Sequence, residues 1–155
     1  MIRMIGNGGH ATVAKEIVRL TFMDRPTSGS FVAIGDNKAR KKEAECMDGP
    51  FAVLIHPSAI VSDSATIGEG SIIMAGAIIQ PKASIGRHCI LNTGCTIDHH
   101  AIVGDFAHIA PGAHLCGAVI IGEGSLVGVG VGIAPCTTIS PWSIVKAARL
   151  DVQTL

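Results

Sequence analysis

The sequence predicts a parallel β-helix carrying a small α/β lobe, and three observations predict it. Aliphatic residues recur at every sixth position from Ile55 to Val145, through Val61, Ile67, Ile73 and onward, without a slip in register. Four residues after each of the first fifteen stands a small or short-branched residue, from Ala59, Ala65 and Ser71 to Thr137 and Ser143. The composition suits short strands and tight corners: 48% hydrophobic, 3% aromatic, 19 glycines and no tyrosine.

A strict period of six fits neither a helix, which needs apolar spacing near 3.6, nor hairpins, which reverse after every strand. It fits a triangular coil in which three hexapeptides make three strands and three corners, so that 18 residues complete a turn. Both columns then point inward, the aliphatic residue filling the corner and the small one letting the chain pass close. Coils stack at roughly the 4.8 Å spacing of paired strands. Sixteen steps give about five coils. The coil holds seven charged residues: Asp63, Glu69, Lys82, Arg87, Asp98, Asp105 and Glu123. Walls so bare favour burial against sister subunits.

Ahead of the coil, Met1 to Ile5 reads as a strand and Gly6-Asn7-Gly8-Gly9-His10 as a tight loop. Ala11 to Leu20 reads as a helix with Val13, Ile17 and Leu20 on one face. The loop matches G-x-G-x-x-A, a weak motif that puts backbone N–H groups and a helix N-terminus where a phosphate could bind. A second strand, Phe31 to Gly35, leads to a charged helix from Asp36 to about Cys46, and Phe51 to Ile55 enters the first coil. The predicted organisation is a lobe over 1–51, a β-helix over 52–146 and a tail over 147–155.

At 155 residues the chain suits one domain with an appendage. A formal charge of zero gives no footprint for nucleic acid or an anionic membrane. No apolar stretch approaches the roughly 18 residues of a membrane span, and glycines interrupt the N-terminal segment, so the expectation is a cytoplasmic protein. The five cysteines form no CxxC pair and are expected as free thiols.

The residues suited to chemistry lie in Asn92-Thr93-Gly94-Cys95-Thr96-Ile97-Asp98-His99-His100, then Gly104-Asp105-Phe106-Ala107-His108 and Cys116-Gly117. His99 stands two places beyond the inward Ile97, near a coil edge, where an imidazole can serve as a general base. Gly117 lies 18 residues on, one full coil, so its N–H falls near the same edge. His108 is half a coil from His99 and can meet it only across a subunit boundary.

The hexapeptide pattern resembles the hexapeptide-repeat acyltransferase superfamily. The combination of Gly6-Asn7-Gly8-Gly9-His10-Ala11, Ile34-Gly35-Asp36-Asn37 with Arg40, and Ile55-His56-Pro57-Ser58-Ala59 looks like its sialic-acid and bacillosamine-pathway acetyltransferases. The resemblance implies a left-handed coil, a Rossmann-like lobe, a homotrimer, and acetyl-CoA bound between neighbouring prisms. It implies that the glycine loop, Gly6, Asn7, Gly8, Gly9 and His10, holds a sugar-nucleotide acceptor with Asp36, Asn37 and Asn92. It assigns His99 as base, His108 to the acyl-CoA and Gly117 to the oxyanion. Lys146 and Arg149 become the phosphate contacts of the coenzyme. In the family an acidic residue follows the catalytic histidine; here His100 stands there, leaving Asp98 or Asp105 to orient the ring. The lobe is shorter than in the family, with Asp24 as the remnant of an acidic position.

Two other classes compete. A γ-carbonic-anhydrase-like zinc enzyme would need an H-x-x-x-x-H pair or histidines 18 apart, and no such spacing occurs, so no metal is expected. A non-catalytic β-helix scaffold is the other alternative.

Overall fold

The computed structural model describes residues 2–21 and 29–147. Sixteen two-residue strands, from β3 (Leu54–Ile55) to β18 (Ile144–Val145), follow one another at intervals of six and pair only in parallel. They form three sheets of six, five and five strands, each strand paired with the one 18 residues away, as in Ile72 with Ile90 and Thr96 with His114. The three faces enclose a core built from the two predicted columns, with Ile73, Leu91, Ile97, Ile109, Ala77, Cys95 and Ala113 all buried. The aliphatic residue sits differently from expectation. It is the second residue of each strand, and the corner belongs to the next three positions.

Those corners contain a third column that the hydrophobic pattern does not reveal. Every sixth residue from Gly70 to Trp142 adopts a left-handed backbone, with φ between 53° and 73°. Six of the thirteen are glycines; the others are Lys82, His88, His100, Phe106, Ala118, Cys136 and Trp142. An L-residue there costs roughly 1–2 kcal/mol. Cys136 is exposed, so Cys136→Gly should raise stability by about 0.5–1 kcal/mol after the entropy of the freer unfolded chain is deducted. Urea unfolding followed by circular dichroism measures the change.

In the lobe, β1 (Ile2–Ile5) pairs in parallel with β2 (Gly29–Val32), and an isolated bridge from Ser30 to Phe51 adds a third edge. The second strand therefore starts and ends earlier than predicted, because its pairing with Ile2–Ile5 runs out at Val32. Helix α1 (Gly9–Thr21) begins two residues earlier than predicted, so Gly9 and His10 belong to its first turn and the loop ends at Gly8. It buries Ala11, Ala14 and Ile17 against Leu54, Ile72 and Ile90 of the coil, whereas Val13 is exposed. Small alanines let the helix lie close to the flat sheet, which displaces the bulkier stripe expected from Val13. Helix α2 (Asn37–Glu45) is capped by Asp36, whose carboxylate accepts from the Ala39 N–H at 2.8 Å. No described helix is long and apolar enough to cross a membrane.

Candidate functional site

The face of the coil beneath the lobe has an outward column of Leu54, Ile72, Ile90, His108, Leu126 and Ile144, set by the 18-residue register. The lobe covers the first three, which are buried, whereas Ile144 is 65% exposed. His108 is therefore the first polar group past the edge of the apolar contact. Its Nε2 lies 3.1 Å from the Asn92 amide nitrogen, and the His10 ring meets it edge-on at 5.4 Å. Gly35 closes the group from the lobe: a Cβ there would come within 2.7 Å of the His10 ring.

Burial, then the Arg40 charge and His10, hold the His108 imidazole down to about 4, against a backbone hydrogen bond with Gly35 that raises it. Burial also lowers His10 and His88. Between pH 6.5 and 4 the unfolded chain takes up a proton at His108 that the native state refuses, so stability falls with pH across that window and is fully present above it. The urea midpoint should drop between pH 7 and pH 5, and His108→Asn should flatten that slope.

Two cavities meet at Gly35. One, of about 310 Å³, is lined by Gly6, Asn7, Gly8, Gly9, His10 and Ala33–Gly35. The other, of about 340 Å³, is lined by Asp36, Asn37, Lys38, His108, Leu126, Trp142 and their neighbours. Within the loop, Gly6 serves the fold, since a Cβ would strike the Ala33 carbonyl at 2.7 Å, whereas Gly8 and Gly9 have open space at that position. Asp36 and Asn37 are largely occupied. Asp36 caps α2, and the Asn37 amide donates to the carbonyls of Gly124 and Ser125 at 3.0 and 3.3 Å while its oxygen accepts from Arg40.

Arg40 itself is 1% exposed and joins lobe to coil. It donates to the His88 and Phe106 carbonyls on the coil at 2.8 and 2.7 Å, and to the Ile34 and Gly35 carbonyls in the lobe at 2.9 and 3.2 Å. Burial lowers its pKa to about 10, so it remains a cation at neutral pH. The sequence does not reveal this role of Arg40, because α2 reads as uniformly charged, NKARKKEAE, with nothing to mark one cation as buried.

His99 lies on a different corner of the prism. Its ring rests on Gly117, where a Cβ would come within 2.6 Å of Cε1 and 2.8 Å of Nε2. The Gly117 N–H carries no hydrogen bond among the described residues. Within one chain the His99 ring is partnered by His100, with Nδ1 to Nδ1 at 3.1 Å. Neither proposed carboxylate reaches it. Asp98 accepts from the His99 backbone N–H at 2.7 Å, and Asp105, on the next corner, is paired with Arg87 at 3.0 Å. These positions follow from the turn: a carboxylate one residue before the corner folds back onto the corner's own N–H, and 105 belongs to the adjacent edge. Gly117→Ala should push the ring off its seat and lower any His99-dependent rate by about ten- to a hundred-fold, with an unchanged circular dichroism spectrum.

Lys146 is exposed, while Arg149 and Asp24 lie outside the described residues. Among the described residues no group of three or more His, Cys, Asp or Glu side chains could hold a metal ion. Cys89 and Cys95 are buried in the coil and their thiols pushed up to about 12 by desolvation, so they are packing groups.

The protein is thus a β-helical prism with an α/β lobe docked on one face, a histidine cleft at their junction and a second histidine site on another corner. Residues 64–99 match the family model described as bacterial transferase hexapeptide (six repeats). A 47-residue stretch is 55% identical to UDP-N-acetylbacillosamine N-acetyltransferase of Bacillus subtilis, taking in 28% of this chain and 22% of that protein. The acetyltransferase domain of PglB from Neisseria gonorrhoeae, solved with acetyl coenzyme A, superposes with a TM-score of 0.86 at 32% identity, covering 94% of this chain and 87% of that one. A mutant of perosamine N-acetyltransferase from Caulobacter crescentus, solved with CoA and GDP-perosamine, gives 0.87 at 34%, covering 94% and 85%. The chain belongs to the hexapeptide-repeat acyltransferase family, in the branch that holds these sugar N-acetyltransferases, and its coil is left-handed.

Proposed function

We propose that the protein transfers an acetyl group from acetyl-CoA to the amino group of a nucleotide-linked sugar, in a homotrimer whose sites lie between subunits. The observation that supports this reading is the His99 ring lying against Gly117 on an exposed edge, an imidazole beside a glycine peptide. Support comes from relatives with the same architecture, solved with acetyl coenzyme A or with CoA and GDP-perosamine. A hydroxyl acceptor would use the same base.

In this reading the lobe cavities hold the acceptor beside His10, Asn92 and His108, and the His99 corner of a neighbouring subunit faces them. The exposed pair Ile102 and Ile120 on an outer face suits such a subunit contact. Donation from His99 Nδ1–H to His100 leaves Nε2 free to take the proton as the acceptor nitrogen attacks the thioester carbon. The Gly117 N–H faces the resulting oxyanion. Collapse breaks the carbon–sulfur bond, and the His99 imidazolium returns its proton to the departing thiolate, giving the amide and free CoA. Lys146 and Arg149 are assigned to the coenzyme phosphates.

Calorimetry with acetyl-CoA, followed by free-thiol release against a panel of nucleotide-linked amino sugars, tests the proposal. Binding with thiol release on at least one amino sugar is expected. Absence of acetyl-CoA binding at millimolar concentration would leave the scaffold reading in its place.

A further inference from the structure

Trp142 is the chain's one tryptophan, and it holds a left-handed corner at φ 59°. That conformation is a marked outlier for a bulky side chain. Its corner column is Gly70, His88, Phe106, Gly124 and Trp142. Here the two inner rings and Trp142 part company. His88 stacks on Phe106 at 5.0 Å, and these two are 4% and 6% exposed, which makes them core. Trp142 is 37% exposed. Its ring lies on Gly124, whose missing side chain leaves room for it, and the Lys41 ammonium stands 5.5 Å from its centroid while paired with Glu123 at 2.5 Å.

The indole borders the cavity that contains His108, with Leu126 and Ile144 as its apolar surface and Asp36 and Lys38 at its polar rim. It also borders a second hollow of about 260 Å³ lined by Lys38, Lys41, Lys42 and Glu45, in which Glu45 pairs with Lys41 and leaves Lys38 and Lys42 as the exposed cations. A flat aromatic surface next to exposed lysines is the combination that takes a heterocyclic base and its phosphates together.

We propose that Trp142 is a stacking platform for a nucleotide base, with Lys38 and Lys42 meeting the attached phosphates. This rests on the acetyltransferase reading, in which both substrates carry nucleotides, the acceptor through its diphosphate and the donor through its adenosine. Trp142 would then be a specificity-determining residue for one of them.

With no tyrosine in the chain, protein fluorescence reports this ring alone. The experiment titrates the intact protein with UDP, GDP and CoA separately and follows tryptophan emission. Saturable quenching is expected: by a nucleoside diphosphate if the acceptor's base stacks there, by CoA if the adenine does. Trp142→Gly, which suits the corner φ and so preserves the coil, should raise the KM of the matching substrate about ten-fold or more with kcat nearly unchanged, and Trp142→Phe should restore most of the affinity. No quenching by any of the three, or an unaltered KM in Trp142→Gly, overturns the proposal. Thiol release without quenching would refute the platform and leave the transferase reading standing. Quenching without transfer would support the platform and refute the transferase.

Discussion

Replacing His99 with alanine is expected to lower acetyl transfer by about 10²- to 10⁴-fold, the range for loss of a general base, without altering the fold. The side chain is exposed on the coil edge, and its ring contacts Gly117 and His100 rather than the core. A companion change isolates the orienting step. His100→Gly fits the backbone φ of 59° at that corner, removes the ring partner of His99 and should slow transfer by about ten-fold. Steady-state rates at saturating acetyl-CoA measure both. Full activity in His99→Ala would remove the residue from the mechanism.

Replacing Arg40 with alanine is expected to destabilise the protein by about 3–5 kcal/mol. The loss leaves four buried or half-buried carbonyls and the Asn37 oxygen without their donor, on both sides of the lobe–coil junction. Arg40→Lys should recover little, because an ammonium offers three donors and cannot span the fork. Hydrogen exchange localises the effect: amides of β1, α1 and β2 should lose protection, while the inner coils around Leu91 and Ile109 keep theirs. Uniform loss across the coil would show that Arg40 supports the prism instead of the junction.

The coil was legible in the sequence because its rule is local and repeated: each hexapeptide places one aliphatic and one small residue inward, and the chain obeys it from Ile55 to Val145. The stacking of His99 over Gly117 followed from the same arithmetic. What the repeat could not reveal depends on contacts between elements of unlike period. The Arg40 fork joins residues 48 and 66 positions apart, and the pairing of His10 with His108 joins the first turn of α1 to the fourth rung of one face. The left-handed column carried a signal in its glycines at 70, 76, 94, 112, 124 and 130, diluted by seven other residues at the same phase. Asp36 and Asn37 read as substrate contacts, yet the helix cap and the junction engage their side chains.

In the proposed mechanism one subunit's His99 serves its neighbour's lobe cleft, an arrangement that mixing of subunits puts to the test. His99→Ala and His108→Ala proteins, each expected to be weakly active alone, are unfolded together, refolded in equal amounts and assayed for acetyl-CoA-dependent thiol release. A site shared across the interface predicts recovery to roughly a quarter of the wild-type rate, since random mixing restores that share of intact sites. No recovery above the separate proteins, with mixed trimers confirmed by native mass spectrometry, would contradict it.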